Sequence, residues 1–505
     1  MKILLINPPF ERLKGIAHIY FPLGLGYLCA AVSKNAGFDV MIYNIEVPAA
    51  SEKLPFHVDY EDMFRLHETY IESLGNPDHY VWKEAETLIK EFKPDLIGIT
   101  VMTAKYGSAQ KISEMAKNID KNCKIVWGGP HPTVDADGVL QNPFVDFVVR
   151  GEGEIVFKEL VESIYSKTGN FSDIRGLSYK TNGKTFHNPD AELIENLDEI
   201  NQVERNRVFF RDRYMPSSWG DMVTLRGCPF KCGYCGAHNT WSYRVRYRSP
   251  LAIIREMKDI ISRYDMKQFY FWDDNFTLNR QRVSELCGLI REMDIPVRWG
   301  CTTRVDLLDD LIIQEMKRAG CDHMSIGIET GSERMLENIQ KGITLEKVYA
   351  AVDLLDKHSM EYEAFFMAGF PEEREDDIRD TMDCIKQLKN ARVCLSVFTP
   401  YPGTRQYEIA KELGLVSHFP EWSSFSHQSR KNHFMKYVSK ERFSEIMKEI
   451  IILTDRANSK NVGIIRLFWN SCLDLRLLIR HPRLFMNKLK TFKAIITQKV
   501  KNAFS

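Results

Sequence analysis

The chain has 505 residues, 44% hydrophobic and 27% charged, a composition ordinary for a globular protein with two or three cores. Its 68 Lys and Arg balance 68 Asp and Glu, so the whole molecule lacks the positive excess that favours polyanions, and nucleic acid is not expected as a partner. The eleven cysteines are odd in number and irregular in spacing, which excludes a disulfide framework and fits a reducing cytoplasm.

Taken in order, Lys2 to Asn7 reads as a buried strand stopped by Pro8 and Pro9. The opening segment is too short for a signal peptide. Phe21 to Val32 reads as a helix with Gly24 and Gly26 in its first turns, where a backbone or ligand can come close. Strands are expected at 40–45, 96–101, 125–128 and 145–149, with helices at 81–92, 109–119 and 154–165. Residues 47–78, polar and aromatic-rich, read as an insertion. The alternation argues for an α/β fold with a doubly wound parallel sheet, flavodoxin- or Rossmann-like, whose ligand sits at the carboxyl ends of the strands. The loops there hold Pro8, Thr100, Gly128, Gly129, His131 and Gly151. No G-x-G-x-x-G follows the first strand, which argues against a dinucleotide site. We expect this domain to span 1–168, with a connector at 169–215 carrying a hairpin that turns at Asn182-Gly183 in type I′ geometry.

A second βα series occupies 216–415. Strands are expected at 222–226, 268–273, 297–302, 322–328, 361–367 and 392–398, with helices between, an open partial (β/α)6 barrel rather than eight closed strands. The first strand leads into Cys228, Cys232 and Cys235, a C-x3-C-x2-C spacing with Tyr234 before the last cysteine. Three thiolates on one loop can hold three irons of a cubane and leave the fourth open, whereas most electron-transfer clusters use four cysteines. The alternatives are zinc, which wants four ligands and usually a second C-x2-C pair that this chain lacks, or three unrelated buried cysteines.

This stretch resembles the cluster motif of radical S-adenosylmethionine (SAM) enzymes. The segments Asn7-Pro8-Pro9, Phe21 to Leu28, Trp127 to Thr133 and Arg150 to Glu154 resemble the cobalamin-binding domain of cobalamin-dependent members. The resemblance covers residues 1–415 and implies a 4Fe–4S cluster, SAM and cobalamin as cofactors, with a flavodoxin or ferredoxin-type protein as electron donor. It implies that Asp273, Asp274 and Asn275 meet the SAM amino group, although each could instead cap the next helix. Arg304 could hold a carboxylate bidentately or pair with Asp306. Glu329 resembles the residue that meets the ribose or amino group of SAM, and the same stretch also reads as a strand end before a helix N-cap at Ser332. The D-x-H-x-x-G motif of many other cobalamin proteins is missing, so a corrinoid without a histidine below cobalt is expected, and His131 reads as a loop histidine or a cobalt ligand. The bland alternative for the whole domain is a flavodoxin-like module that has lost its ligand.

The implied activity is formation of a 5′-deoxyadenosyl radical followed by methylation of an unactivated carbon of an unknown organic substrate. The runner-up is radical oxidative cyclisation of the tetrapyrrole-cyclase kind. A cobalamin-binding sensor without catalysis is the alternative from another class. Residues 416–505 read as a helical extension, with a helix near 441–455. From Arg456 onward basic and large apolar residues interleave, a pattern that can lie on an anionic membrane surface at the inner face, pack on the domain, or stay disordered. No stretch of about 18 uninterrupted apolar residues suggests a spanning helix.

Overall fold

The computed structural model describes residues 1–461 apart from 57, 168, 294–295, 418–419 and 430. The basic stretch expected to touch a membrane therefore lies almost wholly outside the described residues, and among those no helix is long and apolar enough to cross a membrane.

The first half holds β1 (Lys2–Asn7), α1 (Leu23–Val32), β2 (Asp39–Asn44), α2 (Tyr60–Gly75), α3 (Tyr80–Phe92), β3 (Leu96–Thr100), α4 (Tyr106–Ile119) and β4 (Lys124–Gly128). Short helices α5 (Pro130–Val134) and α6 (Ala136–Gln141), β5 (Phe147–Val149), α7 (Gly153–Tyr165), β6 (Leu177–Thr181) and β7 (Lys184–His187) follow. The sheet order is β2-β1-β3-β4-β5-β6-β7, with the first five strands parallel and the hairpin antiparallel. Apolar residues on both sheet faces explain the continuous apolar strands: Ile3 and Leu5 face α1 and α7, while Leu4 and Ile6 face α3 and α4. Strand order reverses between β1 and β3, the switch point where such sheets open a ligand crevice.

Two expectations are corrected here. The hairpin expected in the connector is an extension of this sheet, with Asn182 and Gly183 both at positive φ as its I′ turn requires. Residues 207–209 run along the opposite edge, where Arg207 and Phe209 bond to Ile42. The insertion expected at 47–78 contains α2, capped by Asp59, whose Phe64, His67 and Tyr70 form a buried stripe at helical spacing.

The second half holds β8 (Asp221–Met222), β9 (Leu225–Arg226), α8 (Ala237–Trp241), β10 (Arg246–Tyr247), α9 (Pro250–Tyr264), β11 (Gln268–Phe271), α10 (Arg280–Glu292), β12 (Arg298–Thr303) and α11 (Asp310–Arg318). It continues with β13 (Cys321–Glu329), α12 (Glu333–Asn338), α13 (Leu345–Lys357), β14 (Glu361–Ala368), α14 (Glu375–Gln387), β15 (Ala391–Val397), α15 (Arg405–Glu412) and α16 (Lys440–Asn461). Six strands lie in the order β15-β14-β13-β12-β11-β8, all parallel, and the two end strands do not pair. Alternate residues of β14, such as Tyr362, Ala364 and Phe366, are buried against the surrounding helices, while Glu363, Phe365 and Met367 face the half-open interior.

The expected strand 222–226 is broken in two. Asp273 accepts from the Thr224 amide at 2.6 Å, the Leu225 amide at 3.1 Å and the Thr224 hydroxyl, pulling those residues out of the ladder. Only Asp221 and Met222 remain paired to β11, and β9 pairs antiparallel with β10.

The edge strand β15 is covered from three other parts of the chain, one of them the His427 carbonyl, which accepts from the Val397 amide at 2.9 Å. The Tyr60 hydroxyl of α2 bonds to the Val393 carbonyl and Leu395 amide, and the Asn458 side chain of α16 bonds to both backbone groups of Val393.

Candidate active site

Because the second sheet is parallel, all its carboxyl ends open on one side, and the three cysteines lie there. The loop after β9 turns at Gly227, whose φ of 94° and whose hypothetical Cβ, 2.2 Å from the Arg244 carbonyl, exclude other residues. The loop is pinned to its neighbours by backbone bonds from Gly233 to the Ile339 carbonyl (2.7 Å) and from Gln406 to the Gly233 carbonyl (2.9 Å). Cys228, Cys232 and Cys235 are all half-buried and free. Burial pushes the Cys228 thiol up and the Cys235 thiol to about 11, and Asp274 and the neighbouring cysteines add to both shifts. Cysteines of a cubane bind three different irons, so they need not converge on one point.

The predicted site residues divide into those brought to this loop and those tied elsewhere. Tyr234 accepts a hydrogen bond from Lys341 Nζ at 3.1 Å, and its ring meets Phe370 at 6.3 Å. Burial and then Glu329 hold its phenol well above the ordinary value. Glu329 ends β13 in the left-handed region, φ 74°, at a register shift in the β13–β14 ladder. Its carboxylate pairs with Lys341 Nζ at 2.7 Å. Gly327 makes room, since a Cβ there would stand 2.3 Å from Glu329 Oε1 and 2.8 Å from Lys341 Nζ. Asp274 is reached by solvent; desolvation by the surrounding protein and then Asp273 push its carboxyl up to about 6.

Arg304 lies on the same side, but its guanidinium is engaged. Nε and Nη2 fork onto Asp306 at 2.9 and 3.1 Å, Nη2 also reaches the Lys341 carbonyl, Nη1 points to Cys232 Sγ at 3.6 Å, and the plane lies 3.6 Å from the Phe230 ring centre. The Asp306 alternative is thus the pairing present, in a buried rather than a surface setting. Asp273 spends its carboxylate on Thr224 and Leu225. Asn275 is fully buried, and its Oδ1 accepts from the Thr303 hydroxyl at 3.4 Å.

On the first sheet, the loops at the carboxyl ends of β1, β3 and β4 flank the point where strand order reverses. Thr100 and Gly129 lie against each other: Gly129 has φ 101°, and a Cβ there would lie 3.1 Å from Thr100 Oγ1. Gly128 accepts from the Val101 amide, and Gly151, φ 70° with open space around it, donates to the Thr133 hydroxyl. Met102 beside them is 58% exposed. Pro8 is buried and its carbonyl accepts from Lys105, which also pairs with Glu46 at 2.7 Å. Gly24 faces open space. Gly26 serves packing, since a Cβ would stand 2.4 Å from Val203 and 2.7 Å from Phe21. His131 stands in α5, the helical turn after β4. Its ring is wholly buried between Tyr106 and Trp422, Nδ1 meets Thr103 at 3.2 Å, and burial lowers its pKa to about 4.

Sequence reasoning missed the charged joints around the loop. Glu152 pairs with Arg226 at 2.9 Å and Arg246 at 2.8 Å, and Glu154 also pairs with Arg226, two residues before Cys228. Glu256 pairs with Arg205 at 2.9 Å and Arg248 at 2.7 Å. Both joints are buried and tie the first sheet and the connector to the cysteine-bearing half. Lys341 was missed too; its signal was position alone, twelve residues past Glu329.

Comparison with known proteins agrees with this arrangement. Residues 222–385 match the radical SAM superfamily and residues 14–161 match the B12 binding domain. The chain is 32% identical over 459 residues to an uncharacterized methyltransferase, PH0819, of Pyrococcus horikoshii, covering 90% of this chain and 92% of that one. It is 29% identical to the anaerobic magnesium-protoporphyrin IX monomethyl ester cyclase of Rubrivivax gelatinosus, over 65% of this chain and 60% of the cyclase. The fold is that of the radical SAM methyltransferase TsrM from Kitasatospora setae, with a TM-score of 0.68 over 98% of this chain and 99% of TsrM at 16% identity.

Proposed function

We propose, since this chain belongs to the radical SAM family that carries a B12-binding domain, that it is a methyltransferase acting on an unactivated carbon. Its cofactors are a 4Fe–4S cluster, SAM and cobalamin. When bound, they supply an electron, the SAM-derived radical and the methyl group.

The observation that carries the reading is the loop of Cys228, Cys232 and Cys235 at the open end of a parallel sheet, joined through Arg226 and Glu152 to the B12-type sheet. In this reading the three thiols hold the cluster. Glu329, Lys341 and Asp274 offer acceptors and a donor for the zwitterionic end of SAM, and Tyr234 orients Lys341. The crevice lined by Thr100, Gly128, Gly129 and Gly151 takes the corrinoid face. The protein's part is to orient these groups and exclude water from the radical. The electron donor is a flavodoxin or ferredoxin-type protein, the substrate is an organic molecule that the residues do not identify, and the setting is the cytoplasm.

Anaerobically reconstituted protein is expected to bind about four irons per chain, as one cubane requires. With dithionite and SAM it should form 5′-deoxyadenosine and, once substrate is supplied, S-adenosylhomocysteine as well. Cys232→Ala should lose both iron and cleavage; a variant that still cleaves SAM refutes the ligand assignment. Turnover that yields 5′-deoxyadenosine without S-adenosylhomocysteine would replace methyl transfer by cyclisation.

A further inference from the structure

The environment of Cys232 points beyond ligation. Arg304 Nη1 lies 3.6 Å from Cys232 Sγ, within reach of an N–H···S hydrogen bond. The guanidinium is fixed on every side: Asp306 takes a two-point fork, the Lys341 carbonyl accepts at 2.8 Å, and Phe230, two residues before Cys232, lies beneath the plane at 3.6 Å. Arg304 is 5% exposed, so water screens its charge little. A side chain meant to hold a substrate carboxylate would keep its fork free. This one has given its fork to Asp306 and turned its remaining amino group to sulfur.

We propose that Arg304 is a positioning residue that raises the reduction potential of the cluster held by Cys232. Reduction adds negative charge to the cluster and its thiolates. A fixed hydrogen-bond donor carrying positive charge stabilises the reduced form more than the oxidised one. Asp306 holds the donor in place and partly offsets its charge, so the directed N–H carries the effect.

The proposal rests on Cys232 being a cluster ligand, and the test separates the two. The potential of the anaerobically reconstituted protein is measured by dithionite titration followed by electron paramagnetic resonance, in wild type, Arg304→Lys and Arg304→Met. With iron content and visible spectrum unchanged, Arg304→Met should reduce at least tenfold less readily at a given potential, a shift of about 59 mV to more negative values for one electron. Arg304→Lys, which keeps the charge but not the planar fork, should shift in the same direction by less. A midpoint in Arg304→Met within a factor of two of wild type overturns the proposal. If Arg304→Met fails to hold iron, Arg304→Lys decides: an unshifted midpoint overturns the proposal, and a negative shift upholds it. Wild-type protein that takes up no iron overturns instead the assignment of the cysteines.

Discussion

Glu152 offers the sharpest quantitative test, because it is a buried charge shared by two arginines across the junction of the two sheets. It accepts from Arg226 Nη1 at 2.9 Å, Arg246 Nη1 at 2.8 Å and the Ile194 amide at 2.7 Å, and all three ionic side chains are nearly inaccessible to water. In Glu152→Ala, Arg226 keeps Glu154, but Arg246 keeps only the Ile194 carbonyl, and its Nε and Nη2 already lack partners. An unpaired buried charge costs about 3–5 kcal/mol, and the surviving Glu154 contact places this variant near 3 kcal/mol. Burial alone would push the Glu152 carboxyl up; Arg246 and Arg226 outweigh it, so its pKa lies below the ordinary 4.5. The stabilisation is thus fully present above pH 4.5 and is lost as pH falls through the depressed value. Glu152→Gln, which keeps the shape and the Ile194 bond, should flatten that acid limb. The assay is urea unfolding followed by tryptophan fluorescence, with Trp241 stacked 4.9 Å from the Arg226 guanidinium as a local reporter. Because a chain with two sheets can unfold in steps, the first transition is the one compared. A Glu152→Ala midpoint equivalent to less than about 1 kcal/mol of loss would refute the claim that this joint holds the halves together.

Other residues carry independent expectations. Glu373 is fully buried after β14, accepts from the Gly369 and Phe370 amides at 2.5 and 3.1 Å, and burial pushes its pKa up to about 8. A raised carboxyl binds its proton more tightly when folded, so stability should fall as pH rises from about 4.5 and level off above about 8; Glu373→Gln should remove that decline in unfolding measured from pH 5 to 9. Gly26→Ala places a methyl 2.4 Å from Val203 and 2.7 Å from Phe21 and should destabilise by about 1–3 kcal/mol in urea unfolding, with Val203→Ala in the same chain failing to restore the loss because the Phe21 contact remains. Tyr60→Phe removes the hydroxyl that serves Val393 and Leu395 and should cost about 1 kcal/mol in thermal unfolding.

The elements that could be read from the chain are those whose own residues specify them. Strands β1 and β3 are apolar on both faces because both faces are covered, and Cys228-x3-Cys232-x2-Cys235 is a local spacing. What stayed hidden depends on partners far along the chain. Asp273 read as an acceptor for ligand, yet its partners Thr224 and Leu225 lie about fifty positions earlier, and that contact also broke the expected strand. Arg226 meets Glu152 across 74 positions, so the Arg150-to-Glu154 segment appeared as a cofactor loop and turned out to hold a joint. In α2 the signal was present: Phe64, His67 and Tyr70 recur three apart, but the acidic residues around them masked the stripe. His131 sat in a glycine-proline turn that suggested a ligand, and only Trp422, nearly three hundred residues away, shows why it is buried.

The covers on β15 impose an order of events during synthesis. Tyr60 leaves the ribosome before β15 and waits, while Asn458 follows Val393 by 65 positions. A nascent chain halted before Lys440 leaves the Val393 amide without Asn458 and its carbonyl held by Tyr60 alone, so that part of the strand edge is available to a neighbouring polypeptide. Synthesis of α16 therefore ends the interval in which this edge can recruit a foreign strand, and slowing synthesis near residue 440 should increase aggregation more than slowing it near residue 200.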